Sequence, residues 1–134
     1  MCDYRKSINH QFTQQHVTDS ANYLSELCHG LANESGWWQE GDKENPLSIP
    51  SKLALVHSEV SEAMEAHRKD LNDDHLPNRK GFEVELADAV IRIMDLAGAY
   101  DLDLGGAIAE KLIYNTQRED HKLENRAKQN GKTY

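Results

Sequence analysis

The stretch that decides the fold is Leu53–Lys69, LALVHSEVSEAMEAHRK, together with Gly81–Ala97, GFEVELADAVIRIMDLA. Each carries a pair of carboxylates three residues apart, Glu59 with Glu62 and Glu85 with Asp88. Residues three apart share a helix face, so each pair can aim two oxygens at one point. Residues 63–84 are long enough for a turn and an antiparallel return. Four converging carboxylates repel one another unless a cation sits between them. Hard oxygen ligands suit Mg²⁺, with Mn²⁺ an acceptable substitute. A lone E-x-x-E more often reads as ordinary solvated charge on a helix.

Helical phase argues against that plain reading. At about 100° per residue, Leu53, Val56, Val60, Ala63 and Met64 form an apolar stripe, and Ser58, Ser61, Glu65, Arg68 and Lys69 a polar face. Glu59 and Glu62 fall between them, with Leu55 and Ala66, at the edge of the buried side. The second segment is apolar nearly all round from Phe82 to Tyr100, which predicts a helix buried on every side. Its main polar stripe is Glu85, Asp88, Arg92 and Asp95. Buried charges need partners or a metal. Arg92 is placed to pair with Asp88 at i+4, yet one arginine cannot balance three carboxylates.

Working outward, four helices are expected. The first spans about 7–33, with Ile8, Phe12, Val17, Leu24, Leu27, Cys28 and Leu31 at helical spacing. Gly36 and the polar stretch to Asn45 end it. Ser48 is the expected N-cap of the second helix, which runs to about Lys69 with Pro50 in its first turn. Asp70–Gly81 has turn chemistry. The third helix covers 82–99, and Asp103 caps a fourth that reaches about Arg118. From Glu119 the tail is polar and expected to be extended. The fold class is all-α, a helical bundle of about four helices in a single domain over 1–134. A helix apolar on every side needs more cover than three neighbours give, so a homo-oligomer, dimer or tetramer, is expected.

Composition narrows the function classes. The chain has 134 residues and a net charge of −8, which disfavours a protein that coats nucleic acid. No apolar run is long enough for a membrane span, and MCDYRKSINHQF has no signal-peptide core. Cys2 and Cys28 make neither a metal spacing nor a disulfide framework. Cys28 falls on the apolar side of its helix. A reducing, cytoplasmic setting is therefore expected. Gly131-Lys132-Thr133 is not a P-loop, because Arg126 stands where its first glycine belongs. The seven histidines form no H-E-x-x-H or E-x-x-H, so a redox di-iron centre is not expected. Asp70–Gly81 lacks the mid-loop glycine and closing glutamate of an EF-hand. His57 and His67 read as surface or interface residues.

The two acidic segments, followed by KLIYNTQRED at 111–120 and GKTY at 131–134, resemble the MazG-like all-α nucleoside triphosphate pyrophosphohydrolases over about residues 37–134. The superfamily signature is E-x-x-E, a variable spacer, then E-x-x-D, and the chain has it whole. It also includes all-α dUTPases, dCTPases and phosphoribosyl-ATP pyrophosphohydrolases. The resemblance implies a Mg²⁺-dependent enzyme of nucleotide metabolism, a hydrolase that cleaves a (d)NTP to the (d)NMP and pyrophosphate to control or clean nucleotide pools. It implies a dimer or a dimer of dimers. Glu59, Glu62, Glu85 and Asp88 match the metal-binding carboxylates. Lys111, Asn115 and Arg118 match phosphate-holding positions, and they share one helix face. At a helix end Lys and Arg also complement the dipole. Lys80, just before the third helix, is a further phosphate contact. Glu62 is the expected water-activating group. Many members begin the motif with two glutamates, whereas Ser58-Glu59 stands here.

Adjacent Trp37 and Trp38 lie in a polar, Gly-bounded loop and are candidates for stacking on a base. Packing as a loop anchor or across a subunit interface is the competing reading. Two alternatives stand beside the pyrophosphohydrolase: a dUTPase- or dCTPase-like enzyme with a narrow substrate, and a non-catalytic helical partner protein. The intact carboxylate set argues against the last.

Overall fold

The computed structural model describes residues 10–131. Cys2, the expected helix start at Ser7, Ile8 and the terminal residues 132–134 lie outside the described residues. The described fold is all-α: α1 His10–Glu34, α2 Ser48–Arg68, α3 Gly81–Ala99 and α4 Leu104–Gln117, then a 3₁₀ turn at Glu119–His121 and a one-turn α5 at Leu123–Arg126. No named strand occurs among the described residues; a single antiparallel bridge joins Asn72 to Lys80 across the α2–α3 loop. The backbone divides into two compact units, residues 23–102 and residues 1–22 with 103–134. No helix of the described residues is long and apolar enough to cross a membrane.

In the unit of residues 23–102, α2 and α3 pack as an antiparallel pair. Ala66 near the end of α2 meets Gly81 at the start of α3, while Glu59 in mid-α2 reaches Arg92 in mid-α3. Both helices stop in the same way. Asp70 and Asp101 take positive φ, each 52°, and the next residue's N–H returns to the carbonyl five back, Leu71 to Ala66 and Leu102 to Ala97. This is a Schellman end with aspartate where glycine is usual. The second half of α1 crosses α3 closely at Gly98, where a Cβ would stand 2.5 Å from the Ser25 carbonyl oxygen. Ser25 Oγ donates to Met94 Sδ at 3.2 Å in the same crossing.

In the unit formed by residues 1–22 and 103–134, Asp103 caps α4 as expected, accepting from the Gly106 N–H at 2.9 Å. Asn22 holds the same cap by donating to Asp103 and accepting from the Gly105 N–H. The tail is not extended. Arg118 grips Asp120 and Lys122 pairs with Glu119, and these local pairs fold a polar segment into short turns that periodicity does not reveal.

Two further expectations are corrected. Ser48 is the first residue of α2 rather than its cap; Leu47 occupies the cap position without a side-chain hydrogen bond. Within the single chain α3 is left partly uncovered, as expected of a helix whose own neighbours do not suffice: Phe82, Leu86, Val90, Ile91 and Ile93 are all exposed. The α2 stripe also points partly outward, with Val60 51% and Met64 67% exposed while Ala63 is buried. Alanines dominate the buried core, as Ala63, Ala66, Ala89, Ala97, Ala99 and Ala109. Cys28 is buried, as its phase predicts.

Candidate metal centre and adjoining cavity

The α2–α3 pairing brings one oxygen each of Glu59, Glu85 and Asp88 within 4.8 Å of one another, the one such group among the described residues. Glu59 is buried, whereas Glu85 and Asp88 are half-buried. In an octahedral Mg²⁺ shell with bonds of ~2.1 Å, neighbouring ligands stand about 3 Å apart and opposite ones about 4 Å. The three oxygens, all within 4.8 Å of one another, are gathered on that scale. Their chemistry fits a hard divalent cation.

The cost of the arrangement shows in the acidities. Burial first, then the charges of Glu62, Glu59 and Asp88 and a hydrogen bond with Glu59, raise the Glu85 pKa above its ordinary value. Asp88 is also raised, first by burial and then by the charge of Glu59. The Arg92 guanidinium opposes that rise, while Asp73 and His75 of the α2–α3 loop push in opposite directions. Glu62 is exposed and outside the three-oxygen group, yet its charge is felt at Glu85. Arg92 does not pair with Asp88 at i+4. Its Nε donates across the helices to Glu59 Oε1 at 2.5 Å, a partner that spacing along one helix cannot reveal.

Beside the carboxylates lies a cavity of about 610 Å³. Glu59, Asp88, Arg92, Lys52 and Trp37 line it, with an apolar wall that includes Leu24, Leu27, Leu31, Leu55 and Ile91. This is the size and character of a small-molecule pocket. Lys52 was not singled out from the sequence, although helical phase carries the signal. It precedes Glu59 by two turns, on the same stripe as Leu55.

The adjacent tryptophans part ways. Trp37 is 70% exposed and lines the cavity. Trp38 is buried. Its Nε1–H donates to Asp95 Oδ1 at 2.8 Å, and its ring meets His29 and Tyr100 edge-on. Lys52 Nζ stands 4.1 Å from the Trp38 ring centroid and donates to the Trp37 carbonyl at 3.3 Å. Trp38 is packed as a loop anchor, and of the two only Trp37 has a ring face open to the cavity. His29 Nδ1 and Asp95 Oδ1 are 2.9 Å apart. Asp95, expected in the polar stripe of α3, is buried as the acceptor that ties the loop down.

The phosphate candidates are placed as follows. Lys80 Nζ pairs with Asp70 Oδ1 at 2.8 Å on the surface. In the other unit, Lys111 Nζ lies 4.7 Å over the Tyr114 ring. Asn115 Oδ1 is buried with no hydrogen-bond partner among the described residues. Arg118 follows the last residue of α4 and has an extended backbone, so it does not continue the face of Lys111 and Asn115. Its guanidinium grips Asp120 through two hydrogen bonds of 2.9 and 2.6 Å.

Comparison of the chain with family models, with curated proteins and with solved structures finds no match.

Proposed function

We propose that the chain is a divalent-cation-dependent nucleoside triphosphate pyrophosphohydrolase, converting a (d)NTP to the (d)NMP and pyrophosphate. The observation that carries this reading is the convergence of Glu59, Glu85 and Asp88, of which Glu59 and Asp88 line the cavity. Its motif spacing is the one that resembles the MazG-like enzymes. Glu59, Glu85 and Asp88 would hold Mg²⁺ or Mn²⁺. When bound, the cation supplies positive charge that offsets the triphosphate. Glu62, exposed and within electrostatic reach of Glu85, accepts a proton from the attacking water. The new bond forms at the α-phosphorus, and the bond to the bridging oxygen of the β-phosphate breaks. Trp37 offers its face to the base.

The apolar residues left bare on α2 and α3 support a homo-oligomer, because contiguous apolar surface of this kind marks an interaction face. One observation favours a second reading. Arg92 already offsets the charge of Glu59, as it would in a non-catalytic helical partner. Charge arithmetic favours the enzyme, since the one guanidinium bonded to Glu59 and felt at Asp88 stands against a group of three carboxylates.

Incubation of the pure protein with each common dNTP and NTP and Mg²⁺, followed by separation of products, tests the proposal. Monophosphate and pyrophosphate, lost on adding EDTA, are expected. A panel without turnover under Mg²⁺ or Mn²⁺ would count for the partner reading.

A further inference from the structure

We infer that Arg92 is a built-in occupant of the cation site, holding Glu59 until a divalent cation takes that carboxylate and then presenting its guanidinium to the anionic part of a ligand in the cavity. This rests on the reading of Glu59, Glu85 and Asp88 as cation ligands. Arg92 Nε donates to Glu59 Oε1, and Glu59 is 7% exposed. A carboxylate so buried needs a positive partner. Arg92 comes from α3, one turn beyond Asp88, and crosses to α2 to provide it. Glu59 is also one of the three residues whose oxygens converge. A carboxylate whose charge is already offset by a guanidinium N–H is a poorer ligand for a cation, so the two positive charges compete for the one Glu59 carboxylate.

The displaced arginine has somewhere to go. Its side chain is 39% exposed and lines the cavity beside Lys52. Lys52 is engaged by the Trp37 carbonyl and the Trp38 ring. Arg92 is thus the cavity cation whose present partner a metal would remove. A planar guanidinium suits phosphate oxygens. Cation binding and anion binding are thereby coupled through one side chain: each makes the other easier.

The test needs no turnover. Mn²⁺ alone is titrated into wild type, Arg92→Gln and Arg92→Lys, and bound metal is read by electron paramagnetic resonance; melting is followed with and without Mn²⁺. Arg92→Gln is expected to bind Mn²⁺ about three- to tenfold more tightly, the effect of removing about one partly screened ion pair. It is also expected to melt lower than wild type without metal and to gain more on adding Mn²⁺. Arg92→Lys, which keeps the charge, should stay near wild type and serves if the glutamine variant does not fold, since a lysine variant several-fold tighter than wild type would overturn the competition. Equal or weaker Mn²⁺ binding by Arg92→Gln overturns the inference while leaving the cation site standing. Absence of Mn²⁺ binding in wild type and both variants overturns the cation site itself. Binding by Arg92→Gln alone supports the competition.

Pyrophosphate titrated with and without Mn²⁺ reads the second half. Wild type is expected to bind it more tightly with Mn²⁺ present, and Arg92→Gln to lose several-fold of that gain. An unchanged gain in Arg92→Gln overturns the anion role.

Discussion

Trp38 Nε1 donates to Asp95 Oδ1 at 2.8 Å, joining the loop after α1 to the last turns of α3. Both residues are buried, so the bond satisfies an indole N–H and a carboxylate that have little access to water. Trp38→Phe removes the donor and leaves the carboxylate short of a partner, which costs about 1–3 kcal/mol. Trp37→Phe, one residue earlier and largely exposed, should change stability by less than about 0.5 kcal/mol. Urea unfolding of the two variants makes the comparison. Equal losses would contradict the anchor role of Trp38.

Trp37 is expected to matter for binding instead. Trp37→Ala should weaken nucleotide affinity by about tenfold or more, the range for losing one base–aromatic stack. Equilibrium binding of a non-hydrolysable triphosphate in the presence of Mg²⁺ measures this. Unchanged affinity would remove Trp37 from the base site.

The raised acidities of Glu85 and Asp88 carry a pH signature. A carboxyl whose folded pKa is raised holds its proton more tightly in the folded chain than in the unfolded one. Its favourable contribution is full below the unfolded pKa and is lost as pH rises through the folded pKa. At neutral pH without a cation these groups therefore oppose folding. Glu85→Gln should melt at a higher temperature than wild type at pH 7. The gain should shrink as pH falls from the raised value of Glu85 into the ordinary carboxylate range. Calorimetry over that range reads the difference, and a gain independent of pH would contradict the crowding of Glu85 by Glu62, Glu59 and Asp88.

Removal of the chemistry should spare the fold. Asp88→Asn and Glu62→Ala are each expected to lower turnover by about 10²-fold or more, with circular dichroism unchanged. Full activity in both would sink the roles given to these carboxylates.

The bare apolar residues predict assembly. Val60 and Met64 on α2, with Leu86, Val90 and Ile93 on α3, are exposed at helical spacing. Light scattering is expected to give a dimer or tetramer, and Val90→Asp together with Met64→Asp to shift it toward monomer. A wild-type monomer would contradict this.

Much of the fold was legible because periodicity and punctuation agree. The long apolar run of α3 and its break at Tyr100, the Asp103 cap and the phase of Glu59 and Cys28 all follow from residue type and spacing. Relations across helices were not legible. Phase along α3 puts Arg92 near Asp88, but only the packing of α2 shows that Glu59 is the nearer partner. The same holds for Trp37 and Trp38, where neighbours in sequence point opposite ways and Asp95 decides which is buried. The folding of the tail is not legible, because short turns held by Arg118–Asp120 and Lys122–Glu119 pairs leave no apolar period. For α3, an all-round apolar helix says that cover is needed and not which residues of which copy supply it.

The carboxylate centre is proposed to direct water to the α-phosphorus of a nucleoside triphosphate. Turnover in ¹⁸O-labelled water with Mg²⁺, followed by mass spectrometry of the products, tests it most directly. One labelled oxygen in the monophosphate and unlabelled pyrophosphate are expected. Label in orthophosphate alongside a diphosphate, or no metal-dependent turnover, would contradict it.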